Sequence, residues 1–456
     1  MDTNLKSKGI NLKLIYIVMI IFLLLLLQIF MYFNGPLWSN ISVNYIGILS
    51  LLFALIYIIF DRRINIISFI GAYFFYLSIT HMGFPISELL SANPFESYKY
   101  WDIDWYYSQG GQKSILLSGI GICSFVIGIA IFNQIKKVQP KNIDIRVSKN
   151  KYIYMLGIFL LIFSLIYFLY VSLSGRLVFF SEYGAFRDSM SKLSFYPWIL
   201  LFFSTGLAFI SATGNRKQVI TGWLIFSLFA IPLLFSGNRG EVFFPIGSAL
   251  AVLGYRGLKV NVKIVGSLFL ILFLLIPFIK ETRSSGLTNM ESIEIDIGIT
   301  DPITEMGFTL RPLTHTVQWI DQGEPLGYGV SYFLPLHRLL GKIPGIEERP
   351  LAGNRAYFDE RLPGFGYSVI AEAFFNFGLL GVIVVMFLIG VVIGFFNIMV
   401  KGSFQLALFG GIVAIMLNNI RNTFLFVPGH LIVVTTLILL TYFMSQFALK
   451  KRVIDR

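Results

Sequence analysis

The run LIYIVMIIFLLLLLQIFMYF, residues 14–33, contains no charged residue. A helix of that length reaches about 30 Å, the thickness of the hydrocarbon core of a bilayer. No small-residue cleavage site follows it, so it reads as a first membrane-spanning helix and not as a removable leader. The rest of the chain repeats the pattern: of 456 residues, 56% are hydrophobic and only 13% charged, with a mean hydropathy of +0.76. A soluble chain would carry about 25% charged residues. The expected fold class is an all-α integral membrane protein.

Twelve spans are predicted, at 13–33, 43–60, 64–82, 114–133, 152–173, 194–213, 219–236, 242–255, 264–279, 379–400, 404–420 and 427–447. Between the ninth and the tenth lies a polar insert, Lys280 to Gly364, with 12 of the chain's 24 acidic residues and 8 basic ones. The expected divisions are a transmembrane bundle over 1–279, the insert over 280–364, a short helix carrying Glu372 over 365–378, and closing spans over 379–456. Of the 36 Lys and Arg, 21 fall on alternate connections together with both termini, 7 in the short opposite loops and 8 in the insert. The positive-inside rule then puts both termini in the cytoplasm and the insert outside. The same rule accounts for the net charge of +12 without nucleic acid. The single cysteine, Cys123, lies in an apolar run, which excludes a disulfide framework and a Cys-based metal site. Asp102-Ile-Asp104 resembles a metal-binding DxD element only superficially, and no His or carboxylate cluster has metal-ligand spacing. No metal and no cofactor are expected.

The two sides differ in the type of cation. The cytoplasmic side holds 7 Arg and 14 Lys, the outer side 10 Arg and 5 Lys. Arginine offers a planar fork of donors that fits phosphate or carboxylate at two points, so the outer face reads as built to hold an anion. In Ser236-Gly237-Asn238-Arg239-Gly240-Glu241, a glycine-bracketed turn sets Arg239 beside a helix start. Free N–H groups and the positive end of the helix dipole face the same place. Two readings of Arg239 stand: a diphosphate cradle, or a capped turn in which it pairs with Glu241. Arg187, in Tyr183-Gly184-Ala185-Phe186-Arg187, and Arg421, in Asn418-Asn419-Ile420-Arg421-Asn422, occupy other short outer connections. Arginine there is costly without a partner.

Inside the insert, Ile303, Met306, Leu310, Leu313, Val317 and Ile320 repeat at helical spacing, predicting an amphipathic helix lying on the membrane or the bundle. Asp301 and Pro302 are expected to start it and Pro312 to kink it midway. Arg311, His315 and Gln318 share its polar face. His337-Arg338, in the apolar segment Tyr332–Leu340, reads either as a second contact or as an anchor at the headgroups. The most distinctive stretch is Gly366-Tyr367-Ser368-Val369-Ile370-Ala371-Glu372-Ala373-Phe374-Phe375-Asn376-Phe377-Gly378. Ser368, Glu372 and Asn376 recur every four residues and line one helix face. Glu372 is the only acid between Arg361 and Asp455. A carboxylate in such surroundings is a functional candidate or a helix-packing hydrogen bond.

The Gly-Asn-Arg-Gly turn at Gly237–Gly240, together with Gly366–Ala373 and Asn376-Phe377-Gly378, resembles the Wzy O-antigen (oligosaccharide repeat-unit) polymerases. The twelve-span layout with one dominant late outer loop is similar to theirs, and the Arg-x10-Gly and Arg-x15-Gly spacings of some members recur at Arg355–Gly366 and Arg311–Gly327. The resemblance implies a GT-C-like glycosyltransferase of the bacterial cytoplasmic (inner) membrane with its active site on the periplasmic or outer face. Its substrate would be oligosaccharide repeat units on undecaprenyl diphosphate, met within the membrane lipid, with a chain-length regulator protein as partner. A terminal sugar hydroxyl would attack the anomeric carbon of the growing chain with inversion. Arg187, Arg239, Arg311 and Arg421 would bind the diphosphate in place of a metal, and Glu372, or failing that His315, would accept the proton. Ser368, Asn376, His337, Arg338 and Arg355 are candidate sugar contacts. An O-antigen ligase using the same donor, a lipid-linked oligosaccharide flippase and a membrane scaffold are the alternatives.

Overall fold

The computed structural model describes residues 12–35, 38–91, 95, 103–135, 150–177, 183–236, 240–256, 298, 300–340, 358, 361–362 and 366–454. Among these every regular element is helical. In chain order they are α1 (Leu12–Phe33), α2 (Asn40–Phe60), α3 (Phe69–Leu90), α4 (Asp104–Tyr107), α5 (Gln109–Ile135), α6 (Lys151–Leu173), α7 (Tyr183–Ser191) and α8 (Tyr196–Thr213). They continue with α9 (Arg216–Phe235), α10 (Gly240–Tyr255), α11 (Asp301–Gly307), α12 (Leu310–Asp321), α13 (Val330–Leu340), α14 (Val369–Met399), α15 (Ser403–Asn419) and α16 (Val427–Ile454).

Among the described residues nine helices are long and apolar enough to cross a membrane, and two more, α10 and α15, are apolar but shorter. Eleven of the twelve predicted spans therefore correspond to described apolar helices; the predicted span at 264–279 lies outside the described residues. Boundaries shift where sequence polarity misleads. The third span runs on to Leu90, past Pro85 and Glu88, because its far half is covered by protein. The fifth helix starts at Gln109, ahead of the predicted 114. Helix starts follow local chemistry: Asn150 accepts the N–H groups of Tyr152 and Ile153 at α6, and Asn215 with Gln218 forms a capping box at α9.

The centre of the bundle is α5, with 83% of its apolar window buried against 33% for α1. Around it pack α1, α2, α3, α12 and α14. Lipid tails are as apolar as leucine, so helices inside a membrane gain most from close fit. The α5–α14 seam achieves this with glycine: a methyl on Gly128 would sit 2.3 Å from the Phe387 carbonyl oxygen, and one on Gly390 2.1 Å from that of Phe125. Two backbones thus touch where side chains would separate them. A second apolar cluster, built by α6, α8, α9 and α10, flanks this core.

One end of the bundle is tied by a buried polar knot. Asp61, 1% exposed, receives Arg63 Nε at 2.6 Å, Arg63 Nη2 at 2.7 Å and the Tyr57 hydroxyl at 2.9 Å. Asn397, near the far end of α14, donates to the Arg63 carbonyl at 3.3 Å and receives the hydroxyl of Tyr255. Every charge there has a partner, as burial requires. That end fixes the outgoing half of α14 and leaves its incoming half for the opposite end.

Replacing Gly128 with Ala should lower the thermal midpoint of the detergent-purified protein, because overpacking of this kind costs about 1–3 kcal/mol. Gly402→Ala, whose methyl meets only the tip of Gln405 at 3.9 Å, should leave the midpoint unchanged. Thermal-shift size-exclusion chromatography of the two variants side by side is the check.

Candidate functional site

At the end opposite Asp61, α14 begins where Ser368 caps it. The Ser368 Oγ accepts the N–H groups of Ile370 at 3.2 Å and Ala371 at 3.3 Å. The same oxygen lies 2.7 Å from Nε2 of His81 on α3. His81 is fully buried, and its Nδ1 sits 3.1 Å from the Leu77 carbonyl. A carbonyl can only accept, so Nδ1 carries the proton and Nε2 receives the Ser368 hydroxyl.

One turn later stands Glu372, 1% exposed. Its Oε2 accepts the backbone N–H of Phe424 at 2.7 Å; Oε1 is buried with no partner at hydrogen-bond distance among the described residues, although the Ser331 hydroxyl lies near enough to act on the carboxylate. Phe424 opens a single 3-10 turn, Phe424–Phe426, between α15 and α16. Another turn on, Asn376 Nδ2 donates to the Ser331 hydroxyl at 2.7 Å and to the Glu372 carbonyl at 2.8 Å. The helix then breaks at Phe377 (φ −138°, ψ 15°) and Gly378 (φ 62°, ψ −151°) before continuing as the span. The second of these conformations lies in the region open to glycine. Near the break, the carbonyls of Phe375 and Asn376 accept the N–H groups of Gly327 and Tyr328, both at 2.9 Å.

The α15–α16 connection completes this corner. The Tyr367 N–H donates to the Arg421 carbonyl at 3.0 Å and that of Val369 to Ile420 at 3.3 Å. The Arg421 guanidinium is partly exposed, has no carboxylate within ion-pair distance among the described residues, and acts electrostatically on His81. An arginine near His81 with no carboxylate partner among the described residues offers its planar fork of donors to an external anion.

The insert packs on the bundle. The stripe from Ile303 to Ile320 faces inward, with Met306, Leu310, Leu313 and Val317 buried. The expected single helix is two, α11 and α12, parted at Phe308 and Thr309, so the expected kink at Pro312 is displaced. Pro312 instead occupies the first turn of α12, where a missing N–H costs nothing. Thr300, not Asp301, stands at the N-cap, and Asp301 turns back to accept the Gly298 N–H at 3.0 Å. The Thr316 and Tyr367 hydroxyls meet at 2.9 Å, so α12 braces the residue before Ser368. Two ion pairs hold its far end: Lys113 to Asp321 at 2.7 Å, and Arg361 to Glu324 at 2.5 Å with the guanidinium 3.8 Å over the Trp319 ring.

Of the sequence-predicted site residues, Ser368, Glu372, Asn376 and Arg421 come together. Arg311 and His315 form a pair of their own, Nε to Nε2 at 3.3 Å, and the bonds described do not carry them to Glu372. His337 lies on α13 with Nδ1 buried and unpartnered among the described residues. Arg187 and Arg338 lie on α7 and α13 with their side chains outside the described residues, as are Arg239, Arg355 and Asp102 altogether. Glu241, the alternative partner for Arg239, receives the Tyr196 hydroxyl at 3.0 Å. Among the described residues no group of three or more His, Cys, Asp or Glu could hold a metal ion.

Sequence reading missed His81, Ser331, Tyr332 and the Phe424 N–H. His81 had a signal: an ionisable residue within an apolar run is a functional candidate. Tyr332 had none. Its ring stacks on Phe377 at 6.3 Å and meets Phe424 edge-on at 5.3 Å, and its hydroxyl is buried without a partner among the described residues. Burial, and then the charge of Glu372, push the Tyr332 phenol above its usual range.

The family model described as O-antigen polysaccharide polymerase Wzy matches residues 15–452. Protein CapE of Staphylococcus aureus is similar, 34% identical over 382 residues, which cover 83% of this chain and 84% of that protein. No solved structure matches. With a multi-span helical bundle and a match over nearly its whole length, the chain belongs to the Wzy family of O-antigen polysaccharide polymerases, which join polysaccharide repeat units.

Proposed function

We propose that this protein polymerises oligosaccharide repeat units carried on undecaprenyl diphosphate, by glycosyl transfer at the outer face of the cytoplasmic membrane. The observation that carries the reading is the Glu372 carboxylate, buried at the end of a span, held through one oxygen by the Phe424 N–H and unpartnered at the other. The sugar hydroxyl of one lipid-linked unit attacks the anomeric carbon of the growing chain. Its oxygen bonds to that carbon, the bond from carbon to diphosphate oxygen breaks, and the electron pair leaves with the lipid diphosphate. Glu372 takes the hydroxyl proton. Arg421 meets the charge growing on the leaving group, with Arg187, Arg239 and Arg311, the other cations that the sequence offers for the outer face, as further candidates. Direct displacement inverts the anomeric centre. The unequal distribution of Lys and Arg between the two sets of loops supports this orientation, with both termini in the cytoplasm. Chain length is set with a separate regulator protein.

Purified protein in liposomes, given lipid-linked repeat units, should form polymer equally well with and without a chelator. Glu372→Gln should lower the rate by about 10²–10⁴-fold, the range for loss of a general base. Arg421→Ala should lower it by roughly 10²-fold, as for loss of one charge-stabilising donor. Polymer at the wild-type rate from either variant removes that residue from the mechanism.

In cells, deletion should leave surface glycan as single capped repeat units while lipid-linked units still reach the outer leaflet. Long polymer stranded on the lipid diphosphate would instead identify a ligase, and units trapped in the inner leaflet a flippase. Gel profiles of surface glycan and of extracted lipid-linked material distinguish the three.

A further inference from the structure

Buried polar atoms are almost always hydrogen-bonded, and exceptions call for an explanation. Two such exceptions face the same corner. Glu372 Oε1 and the Tyr332 hydroxyl are both buried with no partner at hydrogen-bond distance among the described residues, the Ser331 hydroxyl being the nearest group that acts on the carboxylate. Three sets of contacts hold the two residues in one corner, and the charge of Glu372 acts on the Tyr332 phenol. Phe424, whose N–H takes Glu372 Oε2, also receives the Tyr332 ring edge-on. Phe377, one residue beyond Asn376, stacks on the other side of that ring. Ser331, the neighbour of Tyr332, is locked to Asn376 through its hydroxyl at 2.7 Å and its N–H at 3.4 Å. The backbone beside Tyr332 is therefore held to α14, and its ring lies against Phe377 and Phe424.

The chemistry of the pair selects its ligand. A carboxylate oxygen only accepts, and a phenol beside it has a proton to give. A diphosphate is repelled by the first. A hydroxyl group satisfies both, donating to the carboxylate and accepting from the phenol. We propose that Tyr332 and Glu372 together seat the attacking sugar hydroxyl, with Tyr332 a substrate-contacting residue that directs the hydroxyl's proton toward Glu372. This rests on the polymerase reading given above. It assigns the lipid diphosphate to the Arg421 side of Ser368 and the acceptor sugar to the α13 side of Glu372, so the two substrates approach α14 from different sides. During transfer the O–H bond breaks as the new bond to carbon forms, the proton passes to Glu372, and Tyr332 remains a neutral donor throughout.

Tyr332→Phe removes one hydroxyl and keeps the ring between Phe377 and Phe424. With lipid-linked repeat units in liposomes, the variant should polymerise roughly tenfold more slowly, the loss expected for one neutral hydrogen bond. The concentration of units needed for half-maximal rate should rise. Its thermal midpoint without substrate should be equal to or above that of the wild type, because a buried hydroxyl with no partner is removed. A lowered midpoint accompanying the lost activity, or a failure to fold, would overturn the proposal and make the hydroxyl a structural group that bridges through water. A wild-type rate from Tyr332→Phe beside an inactive Glu372→Gln would overturn it too, leaving the polymerase reading intact. Wild-type polymer from Glu372→Gln would instead remove Glu372 from the reading and the acceptor seat with it.

Discussion

Everything at the site hangs on the contact between α5 and α14, where Gly128 and Gly390 let two helix backbones meet. In a membrane neither helix gains from hiding apolar surface that lipid would cover as well. Position must come from fit, and fit is tightest when no side chain intervenes. The seam fixes where α14 lies, the Asp61 knot fixes its outgoing end, and its incoming end is set down beside α3 and the α15–α16 connection. Glu372, Ser368 and Asn376 inherit their places from that arrangement.

Within this frame the polar groups are matched with unequal completeness, and the inequality separates scaffold from site. At the Asp61 end both carboxylate oxygens are used several times over. At the Glu372 end one oxygen has a single backbone donor and the other has none among the described residues. Leaving a buried acceptor unpaired costs roughly 1–3 kcal/mol. The Asp61 end has an unpaired buried atom too, Asn133 Oδ1, but that oxygen is neutral, whereas the unpaired atom of Glu372 belongs to a carboxylate. Arg421, with no carboxylate partner among the described residues, fits the same description with opposite sign.

The membrane class, most of the spans and the motif that includes Ser368, Glu372 and Asn376 were legible because each rests on local information: run length, charge and helical spacing. Ser368 and Asn376 were right as a line on one face, yet spacing says nothing of what faces them. His81 is 287 residues from Ser368 in the chain, and Ser331 is 45 from Asn376. Such pairs are made by packing, and no periodicity encodes them. The stripe of α11 and α12 was read correctly as an apolar face, but its break fell at Phe308 and Thr309 and not at Pro312. A proline in the first turn of a helix is compatible with it, and only the position of the helix start reveals that it is in the first turn. Arg311, His315 and Gln318 were read from spacing as sharing one polar face, and spacing could not say that Arg311 Nε bonds His315 Nε2 at 3.3 Å.

The break at Phe377 and Gly378 has a consequence for how the chain can be recombined. The site segment of α14 gives the carbonyls of Phe375 and Asn376 to the N–H groups of Gly327 and Tyr328. Insert and bundle are therefore joined partly through main-chain bonds, at a joint that also needs glycine, since a methyl on Gly327 would press into the Phe375 ring. Grafting an insert from one relative onto the bundle of another should succeed when the graft boundary keeps Gly327–Ser331 and Glu372–Gly378 from the same parent, a module defined by backbone and not by homology.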